Sequence, residues 1–200
     1  MKRSCAVLSL ILLVLALIGD CQISSATEVV FQSGSTQLKG HLASPDGTGP
    51  FPAVIYLHGG MGPVVGGNPK ATAEAIATAG FLGFAPIRRK DPSLVGNVQD
   101  VIAAIDYVKN LEDVDADQLA IIGFSRGGLL AFMASTQRRD LNAIVLMAPA
   151  HGQGALRRFL TNANEVTAPT LILVAKNDMK QADHVSISRQ INTTLKDAGK

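Results

Sequence analysis

The stretch LAIIGFSRGGLLAFMAS, residues 119–135, decides how this chain is read. An apolar run ends at Gly123, Ser125 stands alone, and Gly127 opens a second apolar run. The first run suits a strand buried on both faces, and the second, with Leu129, Leu130 and Met133, suits a packed helix. A small polar residue between two glycines at such a junction has two readings. It is an incidental part of a tight turn, or it is a hydroxyl carried on a sharply bent strand–helix corner. The pattern G-x-S-x-G is common by chance, but a strand before it and a helix after it are the setting of a nucleophile elbow. Glycines on either side let the backbone pack closely enough to hold such a bend. The helix that starts at Arg126 would also aim free N–H groups and a positive dipole end at the serine.

Working outward, apolar runs recur at residues 53–57 (AVIYL), 81–87 (FLGFAPI), 143–149 (AIVLMAP) and 170–175 (TLILVA). Helical patterns lie between them: residues 70–80, stopping at Gly80, and residues 97–111, where Val98, Val101, Ile102 and Ile105 share a face. Val185, Ile187, Ile191 and Leu195 mark a last helix. Two short strand-like pieces, 27–32 and 36–44, precede the first apolar run as an antiparallel pair. Strand alternating with helix predicts a doubly wound, mostly parallel sheet with helices on both faces.

Two hundred residues suit one domain. Residues 1–26 have a basic start, thirteen largely apolar residues (6–18) and then small residues, with Ser24 and Ala26 fitting a small-x-small cleavage site. This predicts a signal peptide cleaved after Ala26 and a secreted or periplasmic mature domain, residues 27–200. The apolar run falls short of the ~20 residues of a spanning helix. Asp20 is not the small residue that lipid attachment at Cys21 would want. Cleavage removes both cysteines, so no disulfide supports the core, and it takes the formal charge from +2 to +1. A near-neutral chain without Trp gives no reason to expect a nucleic-acid partner. Nothing has the spacing of a metal site, and no cofactor is expected.

The first strand of the parallel region runs into Leu57-His58-Gly59-Gly60-Met61-Gly62. An N–H of this loop, from Gly60 or Met61, could join the Arg126 N–H around a developing oxyanion. His58 is read as shaping the loop, not as a base. Asp178 ends TLILVAKND, where a carboxylate at a strand tip can orient a catalytic His; the plain alternative is a turn or helix cap. Arg88, Arg89 and Lys90 after FLGFAPI are read by default as a solvated loop.

From about residue 37 onward the chain resembles the dienelactone-hydrolase-like branch of the α/β-hydrolases. The pieces that carry the likeness are VIYLHGG, DVIAAIDYVKNLEDVDADQLAIIGFSRGG and LILVAKND, in that order. The resemblance implies an α/β-hydrolase fold, a nucleophile at Ser125, an acid at Asp178 and hydrolysis of esters, lactones or related acyl bonds of a small-molecule substrate. The namesake enzymes carry Cys at the nucleophile position, so Ser125 points to esterase-like relatives. The family order also implies a His one strand beyond the acid. Residues 185–200 read as a helix with no strand behind it, so the last strand and its His loop are expected to be missing. That would expose the edge of the LILVA strand. His41 is expected half-exposed and remote. His151 and His184 are the in-chain alternatives for the base. Two functional readings therefore stand: an exported serine hydrolase, or a catalytically impaired or non-catalytic relative that lacks the general base.

Overall fold

A computed structural model describes residues 25–60, 62–91, 93–178 and 182–200. The expected leader, residues 1–26, lies outside this range except for its last two residues. Of these, Ala26 is buried and its N–H donates to Glu74 Oε1 at 3.1 Å.

Seven strands form one sheet: β1 (Thr27–Ser33), β2 (Thr36–Ala43), β3 (Phe51–Leu57), β4 (Leu82–Ile87), β5 (Val114–Phe124), β6 (Ala143–Met147) and β7 (Thr170–Leu173). Their order across the sheet is β1-β2-β4-β3-β5-β6-β7. β1 and β2 pair antiparallel, β2 runs antiparallel to β4, and the remaining neighbours are parallel. The expected antiparallel hairpin and parallel region are both present. Five α-helices accompany them among the described residues: α1 (Pro69–Thr78), α2 (Leu94–Lys109), α3 (Arg126–Ser135), α4 (Ala155–Leu160) and α5 (His184–Asp197).

The inner parallel strands are apolar where helices cover them. Ile55, Leu82, Phe84, Leu119, Ile121, Ile144 and Leu146 join Val101, Ile105, Leu129, Leu130 and Phe132 in one core. A smaller cluster of Ala43, Tyr56, Ala73, Ala77 and Ala85 seats α1 on the other face. Phe31, Phe84 and Tyr107 close the β1 end of the larger core, with ring centroids 5.3–5.7 Å apart. Helix starts follow local chemistry: Asn68, Ser93 and Asp183 each accept a backbone N–H at the cap of α1, α2 and α5.

At the far side, β7 pairs with β6 alone among the described residues. Leu171 and Leu173 are 53% and 47% exposed, in register with Val145 and Met147 of β6. β7 is thus the edge strand of the described sheet on this side. Its energetic signature is a contrast between two leucines. Leu119→Ala, at a fully buried position, should lower the urea-unfolding free energy by about 2–5 kcal/mol. Leu173→Ala should change it by less than ~1 kcal/mol. Equal losses at the two positions would show that the β7 face is covered.

Candidate active site

Because β3, β5, β6 and β7 are parallel, the segments that follow them leave from one edge of the sheet. That edge gathers the 58–60 loop, Ser125, the 148–154 segment and Asp178.

Ser125 has φ 51° and ψ −112°, a left-handed conformation that disfavours any residue with a Cβ. Close backbone packing enforces it. A Cβ on Gly123 would collide with the Gly127 carbonyl, and one on Gly127 would collide with the Leu57 carbonyl and approach the His58 carbonyl at 2.7 Å. β5, α3 and the end of β3 thus touch through bare backbone. The corner is also hydrogen-bonded in place: the Ser125 N–H donates to Met147 O at 2.9 Å, and the Ala150 N–H donates to Ser125 O at 3.0 Å. Ala148, itself at φ 44°, donates its N–H to Leu173 O at 2.7 Å and ties that segment to β7.

Ser125 and Arg126 line an open cleft of ≈ 310 Å³ together with His151 and His184. His184 is the first residue of α5 and is buried; its Nδ1 lies 3.2 Å from the Pro149 carbonyl. A carbonyl only accepts, so Nδ1 carries the proton and Nε2 keeps the lone pair in the neutral ring. His151 has the opposite arrangement: its Nδ1 accepts the Gln153 N–H at 3.0 Å, so the neutral ring is protonated at Nε2. The Arg126 guanidinium turns to Asn97 Oδ1, at 2.9 Å from Nη2 and 3.3 Å from Nε.

The 58–60 loop sits beside α3: a methyl on Gly60 would lie 3.8 Å from Arg126 Cβ. Met61, the other expected oxyanion donor, lies outside the described residues. His58 is buried with both ring nitrogens engaged, Nδ1 at 2.9 Å from Gly59 O and Nε2 accepting the Arg88 N–H at 3.2 Å. Burial, then the nearby Arg88 charge, pulls its pKa down to about 4, so it is neutral at physiological pH and has no free lone pair. Asp178 stands beyond β7 on the same edge, its N–H on Ala175 O at 3.1 Å. Among the described residues, no side chain hydrogen-bonds its carboxylate. The structure therefore lines one cleft with Ser125, Arg126, His151 and His184, sets Gly60 beside Arg126, and leaves Asp178 without a His on it. His41 is half-buried in β2, remote from this cleft.

Arg88 and Arg89 depart from the solvated loop expected for them. Arg88 folds onto the 58–60 loop, with Nη1 donating to His58 O at 3.1 Å and Nη2 to Gly59 O at 2.7 Å. Arg89 forks onto the buried Asp100 and donates to Ser33 Oγ at 3.2 Å. A run of three cations gives no sign of this, since what draws the side chains inward is a set of backbone carbonyls and a helix carboxylate.

The sheet order, the strand–Ser–helix corner and the adjoining glycine loop define the α/β-hydrolase fold. A dienelactone hydrolase from Anabaena variabilis superposes with a TM-score of 0.70 over 87% of this chain and 82% of its own, at 20% identity. The family model for the dienelactone hydrolase family matches residues 87–200, and the chain belongs to that family. It is 28% identical over 116 residues to the uncharacterized peptidase YtmA of Bacillus subtilis (strain 168), covering 54% of this chain and 45% of that protein. It is 29% identical over 125 residues to the esterase EstD of Thermotoga maritima, covering 56% of this chain and 30% of that protein. The matched part is thus less than half of either relative's length.

Two measurements follow from this geometry. Ser125→Gly relieves the left-handed strain and should raise the unfolding free energy by about 1 kcal/mol, read by urea denaturation. His58 titrates near 6.5 when unfolded and near 4 when folded. Its contribution to stability is therefore complete above pH 6.5 and is lost as the pH falls toward 4. The loss is on the order of 3 kcal/mol. The slope of unfolding free energy against pH in that window should flatten in His58→Gln.

Proposed function

We propose that this chain is a serine hydrolase of carboxylic ester or related acyl bonds, acting through an acyl-enzyme at Ser125. The observation that carries this reading is the strained Ser125 lining a cleft at the start of α3, beside a glycine loop. Strain of this kind persists only where surrounding structure enforces it, and it clusters at working sites. Relatives named as esterase and peptidase support hydrolysis of ester or peptide bonds in the coarser sense.

In this mechanism the Ser125 hydroxyl attacks the acyl carbonyl, its proton passes to a base, and the new oxyanion is met by N–H groups of the loop and of Arg126. The alcohol or amine leaves, and water then releases the acid. Of the histidines lining the cleft, His184 has the tautomer a base needs, with Nε2 unprotonated. Its orienting partner is the Pro149 carbonyl, where the family order implies the Asp178 carboxylate. That difference favours a second reading, a relative whose catalysis is impaired because no base is held by Asp178 in the described chain. We also propose export, with the leader removed.

Hydrolysis of a short p-nitrophenyl ester separates the readings. A working site should lose at least ~10³-fold in kcat on Ser125→Ala, with the fold intact by circular dichroism. A rate equal to that of Ser125→Ala in the unaltered chain would favour the impaired relative. With activity present, His184→Ala should cost far more than His151→Ala if His184 is the base. If both are mild, the base is another group.

A further inference from the structure

Arg88 follows β4, not the strand that bears Ser125, yet its guanidinium is committed to the 58–60 loop. Nη1 donates to His58 O at 3.1 Å, and Nη2 to Gly59 O at 2.7 Å and to Gly60 O at 3.4 Å. The Gly59 carbonyl takes a second donor, the Nδ1–H of His58 at 2.9 Å, and the Arg88 N–H fixes that ring by donating to Nε2 at 3.2 Å. One residue thus holds the loop directly through its fork and indirectly through His58.

The consequence comes from peptide planarity. In a trans peptide the C=O of one residue and the N–H of the next point in opposite directions. With the Gly59 carbonyl fixed on Arg88, the Gly60 N–H must face away from Arg88. Gly60 is exposed, its N–H has no partner among the described residues, and the residue abuts Arg126. We propose that Arg88 is a positioning residue for the oxyanion pocket: by clamping the loop carbonyls it turns the Gly60 N–H toward the Ser125 corner. The proposal rests on the reading of Ser125 as nucleophile, and it names Gly60 as a loop donor that this clamp aims.

A direct grip on substrate fits the geometry less well. The cavity beside Arg88, His58, Asn97 and Asp100 is ≈ 10 Å³, about the space of one water. Burial, and then repulsion from Arg126, brings the Arg88 pKa down to about 10, so the fork remains protonated at neutral pH. Its charge therefore adds to the positive potential behind the developing oxyanion.

The test is the rate of fluorophosphonate labelling at Ser125 in the full chain, together with kcat and KM on a neutral p-nitrophenyl ester. Loss of one oxyanion donor costs roughly 10²–10³ in kcat, so a misaimed donor should cost roughly 10–100-fold. Arg88→Met should slow labelling and kcat by that factor with KM within about twofold. Arg88→Lys keeps the charge but not the fork, should fall short of the wild type, and carries the test if Arg88→Met does not fold. Added methylguanidinium should restore part of the labelling rate in Arg88→Ala. A trifluoromethyl ketone, which forms an oxyanion adduct on serine, should weaken in step with kcat/KM. Wild-type labelling rates in folded Arg88→Met or Arg88→Lys overturn the proposal. So does a defect confined to KM for acidic substrates, which would make Arg88 a substrate-binding group. A wild-type chain that fails to label overturns the Ser125 reading first, and this proposal with it.

Discussion

The site depends on backbone meeting backbone at the end of β5. Gly123 and Gly127 have no side chains because the carbonyls of Gly127 and Leu57 occupy the space a Cβ would need. That contact bends the chain at Ser125 into a left-handed conformation and places it on the cleft. The same contact fixes the distance between α3 and the loop after β3, so the serine and the glycine loop are set by one packing event. Hydrogen bonds from Ser125 to Met147 and from Ala150 to Ser125 extend the arrangement to β6, and Ala148 carries it to β7. Four strand ends are joined through main-chain groups, which makes the local geometry insensitive to most side-chain identities and intolerant of a methyl group at two positions.

Around this backbone frame the charges are arranged to stay fixed. His58 is kept neutral by burial and by the Arg88 charge beside it, so it serves as a rigid hydrogen-bonding strut. Arg88 and Arg126 are both turned toward carbonyl or amide oxygens, which anchors their guanidinium groups at either side of the loop. His184 links α5 to the same frame: its Nδ1 meets the carbonyl of the Pro149–Ala150 peptide, whose N–H meets Ser125 O. A single peptide group is thereby held at both ends, and the last helix of the chain is coupled to the serine corner.

Much of this was legible in the sequence, for physical reasons that differ by residue. The parallel strands stood out because burial on both faces demands continuous apolar runs, as in residues 53–57 and 119–123. The first half of β5 did not, since Val114–Gln118 is largely polar and only Val114 pairs there, with Phe51. The six residues of α4 are too few to show a helical period. Ser125 was legible because the bend needs glycines at fixed offsets. Arg88 was not, because its partners are carbonyl oxygens, which every residue has, and a charged triplet after a strand reads as solvated. Asp178 lies past a turn that follows the end of β7 at Leu173, and among the described residues no side chain hydrogen-bonds its carboxylate.

The central claim is that one hydroxyl becomes covalently acylated. It is tested most directly by mixing the full chain with a short activated ester, quenching in acid within the first turnovers, and mapping the mass added by peptide mass spectrometry. The account predicts one acyl group per chain, on the peptide that contains Ser125, and none in Ser125→Ala. An acyl group on another residue, or turnover of the ester with Ser125 unmodified throughout, would contradict it.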